Sequence, residues 1–178
     1  MSFWFLLLAF ATSLNACHLR RAFPTGPATL ALGSLLAMGA GTALALSGRA
    51  VLAALDISPE SFRLAAALVL TLEGARALLF EPPTITSALP GLRAALVPVA
   101  FPLLLQPGVV VLALAAGGDG VSGLALGALA VALLLVIGTG LLPRDPRVEA
   151  LLAAGGRLLG ALEIAVGVAL AVDALRDV

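Results

Sequence analysis

Four polar positions stand out in a chain that is otherwise mostly apolar. The stretch LLLQPGVVV, residues 103–111, places Gln106, Pro107 and Gly108 in the middle of a hydrophobic run. Pro107 lacks a backbone donor and Gly108 lets the chain leave helical dihedrals, so the pair reads as a helix break. Gln106 adds a side-chain donor and acceptor beside backbone groups that the break leaves without helical partners. Asn15, in ATSLNACHL, puts a second amide inside an apolar segment. Glu163, in ALEIAVGVAL, and Glu73, in TLEGARALL, put carboxyls there. An ionised carboxylate in apolar surroundings is expensive, so each must be neutral, paired or next to water.

That set fits two kinds of chemistry. Asn15, Gln106, Pro107 and Gly108 would line a site for a small polar solute. One half-helix at the break would turn its positive N-terminal end toward an anionic group of that solute. Glu163 would couple the site to protons, with Glu73 as a second candidate. Each assignment has a plainer counterpart. Amides inside a bundle also hold helices together, at about 0.6 kcal/mol each. Glu73 has Arg76 three residues on and can pair with it along the helix. Arg63 and Arg157 read as anchors whose heads reach the interface, His18 as an interfacial polar residue and Cys17 as a packing residue.

Other chemistries find little support. The one His and one Cys exclude an internal disulfide and supply no ligand cluster, so neither a metal nor a cofactor is expected. Ser58 and Ser61 belong to a helix start, and the His lacks evident Ser and Asp partners for nucleophilic catalysis. Gly39 and Gly41 lie inside an apolar helix, not in a phosphate-binding loop. A formal net charge of zero points to no nucleic-acid partner. No enzyme activity is expected.

The elements that must position these residues follow from composition. Of 178 residues, 61% are hydrophobic and 11% charged, and mean hydropathy is +1.15. Several apolar stretches approach the ~18 residues that read as a transmembrane helix. No segment alternates as a membrane barrel strand would. The chain therefore reads as one all-α membrane domain over 1–178, with the lipid bilayer as its first partner. SLNAC loosely resembles a lipoprotein cleavage box, but MSFWF lacks the positive region of a signal peptide. The first segment is read as a transmembrane helix.

Six spans are expected. The first runs over about 3–19 and the second over about 27–46, followed by a short interfacial turn at 49–55. The third starts at Ser58-Pro59-Glu60, a cap with Pro at the first helical position, and runs to about Phe80. The fourth covers about 92–116 around the break, and the fifth about 121–142. The sixth starts at Asp145-Pro146 and reaches about Ala174. Gly33, Ala37, Gly41 and Ala45 recur every four residues and mark a face for close helix approach.

The two halves, about 1–80 and 92–178 around the loop 81–91, resemble each other. AFATSLNA (9–16) lies over AFPLLLQP (100–107), so Asn15 falls on Gln106. LALG recurs at 30–33 and 124–127, and Arg63-Leu64 with Ala67-Leu68 recurs as Arg157-Leu158 with Ala161-Leu162. Three spans per half require the second half to enter from the opposite side, an inverted repeat. All basic residues are Arg. With both termini outside, Arg20, Arg21, Arg93, Arg144 and Arg147 fall on cytoplasmic loops, and Asp119 lies in an outer turn without Arg.

These stretches resemble the MarC family of six-span bacterial membrane proteins. DISPESFRLAAALVLTLEGARALL resembles its third-helix signature, VPVAFPLLLQPGVVVLAL its Pro-rich fourth helix, and GRLLGALEIAVGVALAVDAL its last helix. In the first helix, Asn15-Ala16-Cys17-His18 stands where the family has Asn-Pro-x-Gly, and Gln106 stands where it has Gly. The resemblance implies a bacterial inner-membrane protein grouped with small-molecule exporters of the amino-acid-exporter type. Two functions are therefore expected to compete: a secondary transporter of a small polar solute, and a non-transporting subunit that packs against other membrane-protein subunits.

Overall fold

A computed structural model describes residues 1–22, 27–82, 92–143 and 145–177. Helices α1 (Phe3–Leu14) and α2 (Ala16–Ala22) share the first apolar segment, and α3 spans Pro27–Ala54. Helix α4 spans Pro59–Leu79, and α5 is the single turn Leu92–Ala94. A wide-turn segment, Ala95–Leu104, leads to α6 (Pro107–Gly118), α7 (Ser122–Gly140) and α8 (Pro146–Arg176). The described residues contain no strand.

Local chemistry sets the ends. Ser58 accepts the Ser61 N–H at 3.2 Å and Pro59 opens α4, as expected from the sequence. Asp145 accepts the Arg147 N–H ahead of Pro146. Helix α6 ends in the tight turn expected at GGDG. Gly120 takes φ +74°, and the Val121 N–H returns to the Ala116 carbonyl at 2.9 Å.

Three expectations need correction. The segment 49–55 is no separate turn: α3 continues through it for 28 residues, about 42 Å at the ordinary helical rise. Ala and Leu favour helix and nothing in RAVLAA breaks it. The first span is not continuous, because Asn15 adopts a left-handed conformation (φ 37°) between α1 and α2. Asn tolerates that region better than most residues, so a break forms with neither Pro nor Gly. The stretch before Gln106 is not an α-helix either. Val97 and Phe101, each followed by Pro, have extended dihedrals, because the residue before Pro is driven from the helical region. The expected breaks at 23–26 and 83–91, and Arg144, lie outside the described residues.

Four helical segments are long and apolar enough to cross a membrane: Phe3–Ala22, α3, α7 and α8. The wide-turn segment and α6 make a fifth if they form one span, bent by 69°. Helix α4 is long enough, but it carries Glu60, Arg63, Glu73 and Arg76. It buries Arg63, Ala66, Ala67, Leu70 and Gly74, while Leu68, Leu72 and Leu79 face outward.

Small residues let these helices approach closely. The face Gly33, Ala37, Gly41, Ala45 is buried along α3. Where α4 crosses α8, a Cβ on Gly74 would lie 2.6 Å from the Gly160 carbonyl oxygen. Gly117 of α6 sits similarly against Ala45 and Gly48 of α3. Helix α4 packs mainly on α8, α3 on α6 and α7, and α1 on α7, with α4 also touching α6 and α1 touching α8.

Candidate functional site

The two helix breaks meet. At the first, the left-handed Asn15 stops α1, and its own side chain restarts the chain as α2 by accepting the His18 N–H at 3.2 Å. At the second, Leu105 leaves helical geometry (φ −92°, ψ 51°) and Gln106 is extended. Pro107 then opens α6 at the position where its missing N–H costs nothing. The break thus sits at Leu105-Gln106, with Pro107 and Gly108 already inside the next helix.

Side chains tie the breaks to each other and to two further helices. The Gln106 Nε2 group donates to the backbone carbonyl of Ser13. Asn15 Nδ2 donates to the Gly156 carbonyl of α8 at 3.0 Å. Ser13 Oγ donates to Glu163 Oε1 at 2.7 Å, and Glu163 is only 2% exposed. The Gly108 N–H donates to Glu73 Oε2 at 2.9 Å. A Cβ at position 108 would collide with that carboxyl and lie 2.9 Å from Ser13 Oγ, so only glycine permits this approach.

All of this surrounds one cavity of about 350 Å³. Asn15, Gln106, Pro107, Glu73 and Glu163 line it, and Gly108 lies just behind Glu73. The structure therefore brings the six sequence-selected residues to one place. The two amides do not bond each other; each is turned to a backbone carbonyl. The cavity extends along α2 and α4 to Ala22, Phe80 and Pro82, and Phe80 is exposed. Arg76 and His18 line it on the way.

One electrostatic expectation fails here. The N-terminal end of α6 does not wait for a solute anion, because the Glu73 carboxylate already occupies it. Nor is Glu73 simply the partner of Arg76 one turn away, since its oxygen is directed across to another helix.

Sequence reading passed over two features. Ser13 is the junction of the breaks, holding Glu163 with its hydroxyl and Gln106 with its carbonyl. Its signal was its place two residues before Asn15 in an apolar run. Arg63 is no interfacial anchor: it is buried, at 7% exposure. Its guanidinium lies 2.6 Å from Asp177, 3.1 Å from Asp173, 3.7 Å from Asp119 and 4.0 Å from Glu60. This joins the start of α4, the α6–α7 turn and the end of α8. Burial pushes the Asp119 carboxyl up, while Arg63 pulls it down. Arg157, its sequence counterpart, is exposed and 3.8 Å from Glu81. Arg63 precedes Glu73 by ten residues, about 15 Å of helix, on the side away from the cavity mouth.

Among the described residues no group of three or more His, Cys, Asp or Glu could hold a metal ion. Comparison of the chain with protein-family models, with curated proteins and with solved structures gives no match, so the meaning of the site rests on its geometry.

Proposed function

We propose that this chain is a secondary transporter of a small polar solute across the bacterial inner membrane, working by alternating access. The observation that carries the reading is the cavity where two broken helices, the buried Glu163 and the half-buried Glu73 converge, framed by exposed residues at one end. Non-helical backbone at membrane depth is tolerated where protein or a watery cavity satisfies it. Both breaks here are satisfied by side chains that line such a cavity. A subunit serving only to pack against partners would need neither the cavity nor its carboxyls.

In this reading α4 is the sixth span. Arg63 turns to Asp119 and Asp173 and Glu73 to Gly108, while Leu68, Leu72 and Leu79 turn outward, as lipid requires. Two inverted halves are supported by the neighbour relations. Exchanging α1–α2 with the segment 95–118, α3 with α7, and α4 with α8 turns each main packing pair into another. The α3–α6 pair becomes α7–α2, the pairing of α3 with 95–104 becomes α7–α1, and α4–α6 becomes α8–α2. With both termini outside, the cavity opens to the cytoplasm beside Arg20 and Arg21, and the Arg63 network closes the outer side. The stretches read in the sequence as resembling the MarC family would imply the same arrangement.

Thiol accessibility tests the alternation. A cysteine replacing cavity-lining Leu103, in a Cys17→Ser background, is expected to react with an impermeant reagent from the mouth side. Adding Arg63→Ala should open a route from the other side. Labelling from one side only, in both backgrounds, would exclude alternating access.

A further inference from the structure

We infer that the cavity takes a small organic cation that carries hydrogen-bond donors, of the ammonium or guanidinium class, and that it rejects anions. Hydrogen-bond donors and acceptors around the cavity are unequally committed. Three donors around the cavity are already committed within the protein: Ser13 Oγ to Glu163, Gln106 Nε2 to the Ser13 carbonyl, and Asn15 Nδ2 to Gly156. The N-terminal end of α6, which would otherwise attract an anion, is filled by Glu73. Apart from Arg76 and His18, which line the way to the mouth, the groups left over are acceptors. Among the described residues, Glu163 Oε2, Glu73 Oε1 and Gln106 Oε1 make no hydrogen bond. A ligand that complements them must donate.

Charge points the same way. With both carboxyls ionised, Glu73 and Glu163 contribute −2 and Arg76 +1, which leaves −1 with His18 neutral. One positive charge neutralises the site. An anion would add to the negative charge in surroundings that screen it poorly. Without a cation, protons must neutralise the carboxyls, since two unpaired carboxylates cannot stay ionised cheaply in an apolar bundle. Protons and the organic cation therefore compete for the same oxygens. This deepens the transport reading by naming the solute class and giving Glu163 its coupling role, and it rests on that reading only for the movement of the cation.

Four probes of similar size separate the possibilities: guanidinium, its neutral isostere urea, tetramethylammonium with charge but no donors, and acetate. Binding is measured by calorimetry on the intact purified protein in detergent, and flux by uptake into proteoliposomes. Guanidinium is expected to bind at least about tenfold more tightly than the other three, the value of one charge-assisted hydrogen bond. Its binding should release protons into a weakly buffered solution. Glu163→Gln keeps the acceptor for Ser13 and should abolish the preference for guanidinium over urea. Glu73→Gln, which keeps an acceptor for Gly108, serves if the first variant is not monodisperse. Urea, acetate or tetramethylammonium binding as tightly as guanidinium, or no binding by any probe, overturns the inference. Guanidinium bound but not carried leaves the site standing and removes transport. Acetate or urea carried without guanidinium keeps transport and removes the cation site.

Discussion

Gln106 hands its side-chain amide to the backbone carbonyl of Ser13, joining the second helix break to the first. The Ser13 carbonyl is available because Asn15, two residues on, turns the chain left-handed and interrupts the α1 ladder. One break supplies an acceptor and the other a donor. Gln106→Ala leaves that carbonyl without its partner in a part-buried place, at a cost of about 1–3 kcal/mol. A lower unfolding temperature in detergent is expected for this variant, and an unchanged one would mean that the contact is not formed in solution.

Glu73 acts on α6 as a cap supplied by a neighbouring helix. Glu73→Ala should therefore lose about 1 kcal/mol, as removal of an ordinary cap does, whereas Glu73→Gln keeps the acceptor and most of the stability. Thermal unfolding of the two variants side by side decides the matter. Equal loss in both would show that charge, not the hydrogen bond to Gly108, matters there.

Glu163→Gln preserves the shape of the side chain and an acceptor for Ser13 Oγ. The protein should fold and remain monodisperse, and any transport should lose its dependence on a proton gradient. An intact pH dependence in this variant would remove Glu163 from coupling.

Arg63 stands between four carboxylates at the end away from the cavity mouth. Arg63→Ala leaves them to repel one another. Arg63 itself is buried, but Asp173 and Asp177 are half exposed, so the loss should lie between that of surface and buried pairs, on the order of 2 kcal/mol. The variant's unfolding temperature should fall, and added salt should narrow its gap to the parent by screening the repulsion. No fall in stability would mean that the network is dispensable.

At the α4–α8 crossing, a side chain on Gly74 meets the Gly160 backbone, which cannot move aside as a flexible side chain would. Gly74→Val should cost about 1–3 kcal/mol through overpacking. Gly123, whose Cβ would meet nothing, provides the control: Gly123→Ala should leave stability unchanged.

Sequence alone determined the all-helical class of this protein and picked out the polar residues that meet at one cavity. Mean hydropathy and long apolar runs leave helices as the only economical way to satisfy the backbone. Polar residues are so few in such runs that Asn15, Gln106, Glu73 and Glu163 announce themselves. The helix starts at Ser58-Pro59 and Asp145-Pro146, and the turn at GGDG, were equally legible, because caps and glycine turns are local chemistry. What tertiary structure decided was partnership. Arg76 is a near neighbour of Glu73 along the helix, yet Gly108 on another helix receives the Glu73 oxygen. Arg63 has an interfacial residue's sequence context, and only the meeting of the α4 start, the α6–α7 turn and the α8 end buries it among acids. The break at Asn15 carries no Pro or Gly, so no local rule required it. Its left-handed turn is held by a cap on His18 and a bond to Gly156 on another helix. Such contacts join residues that are far apart in the chain, and spacing along the sequence does not encode them.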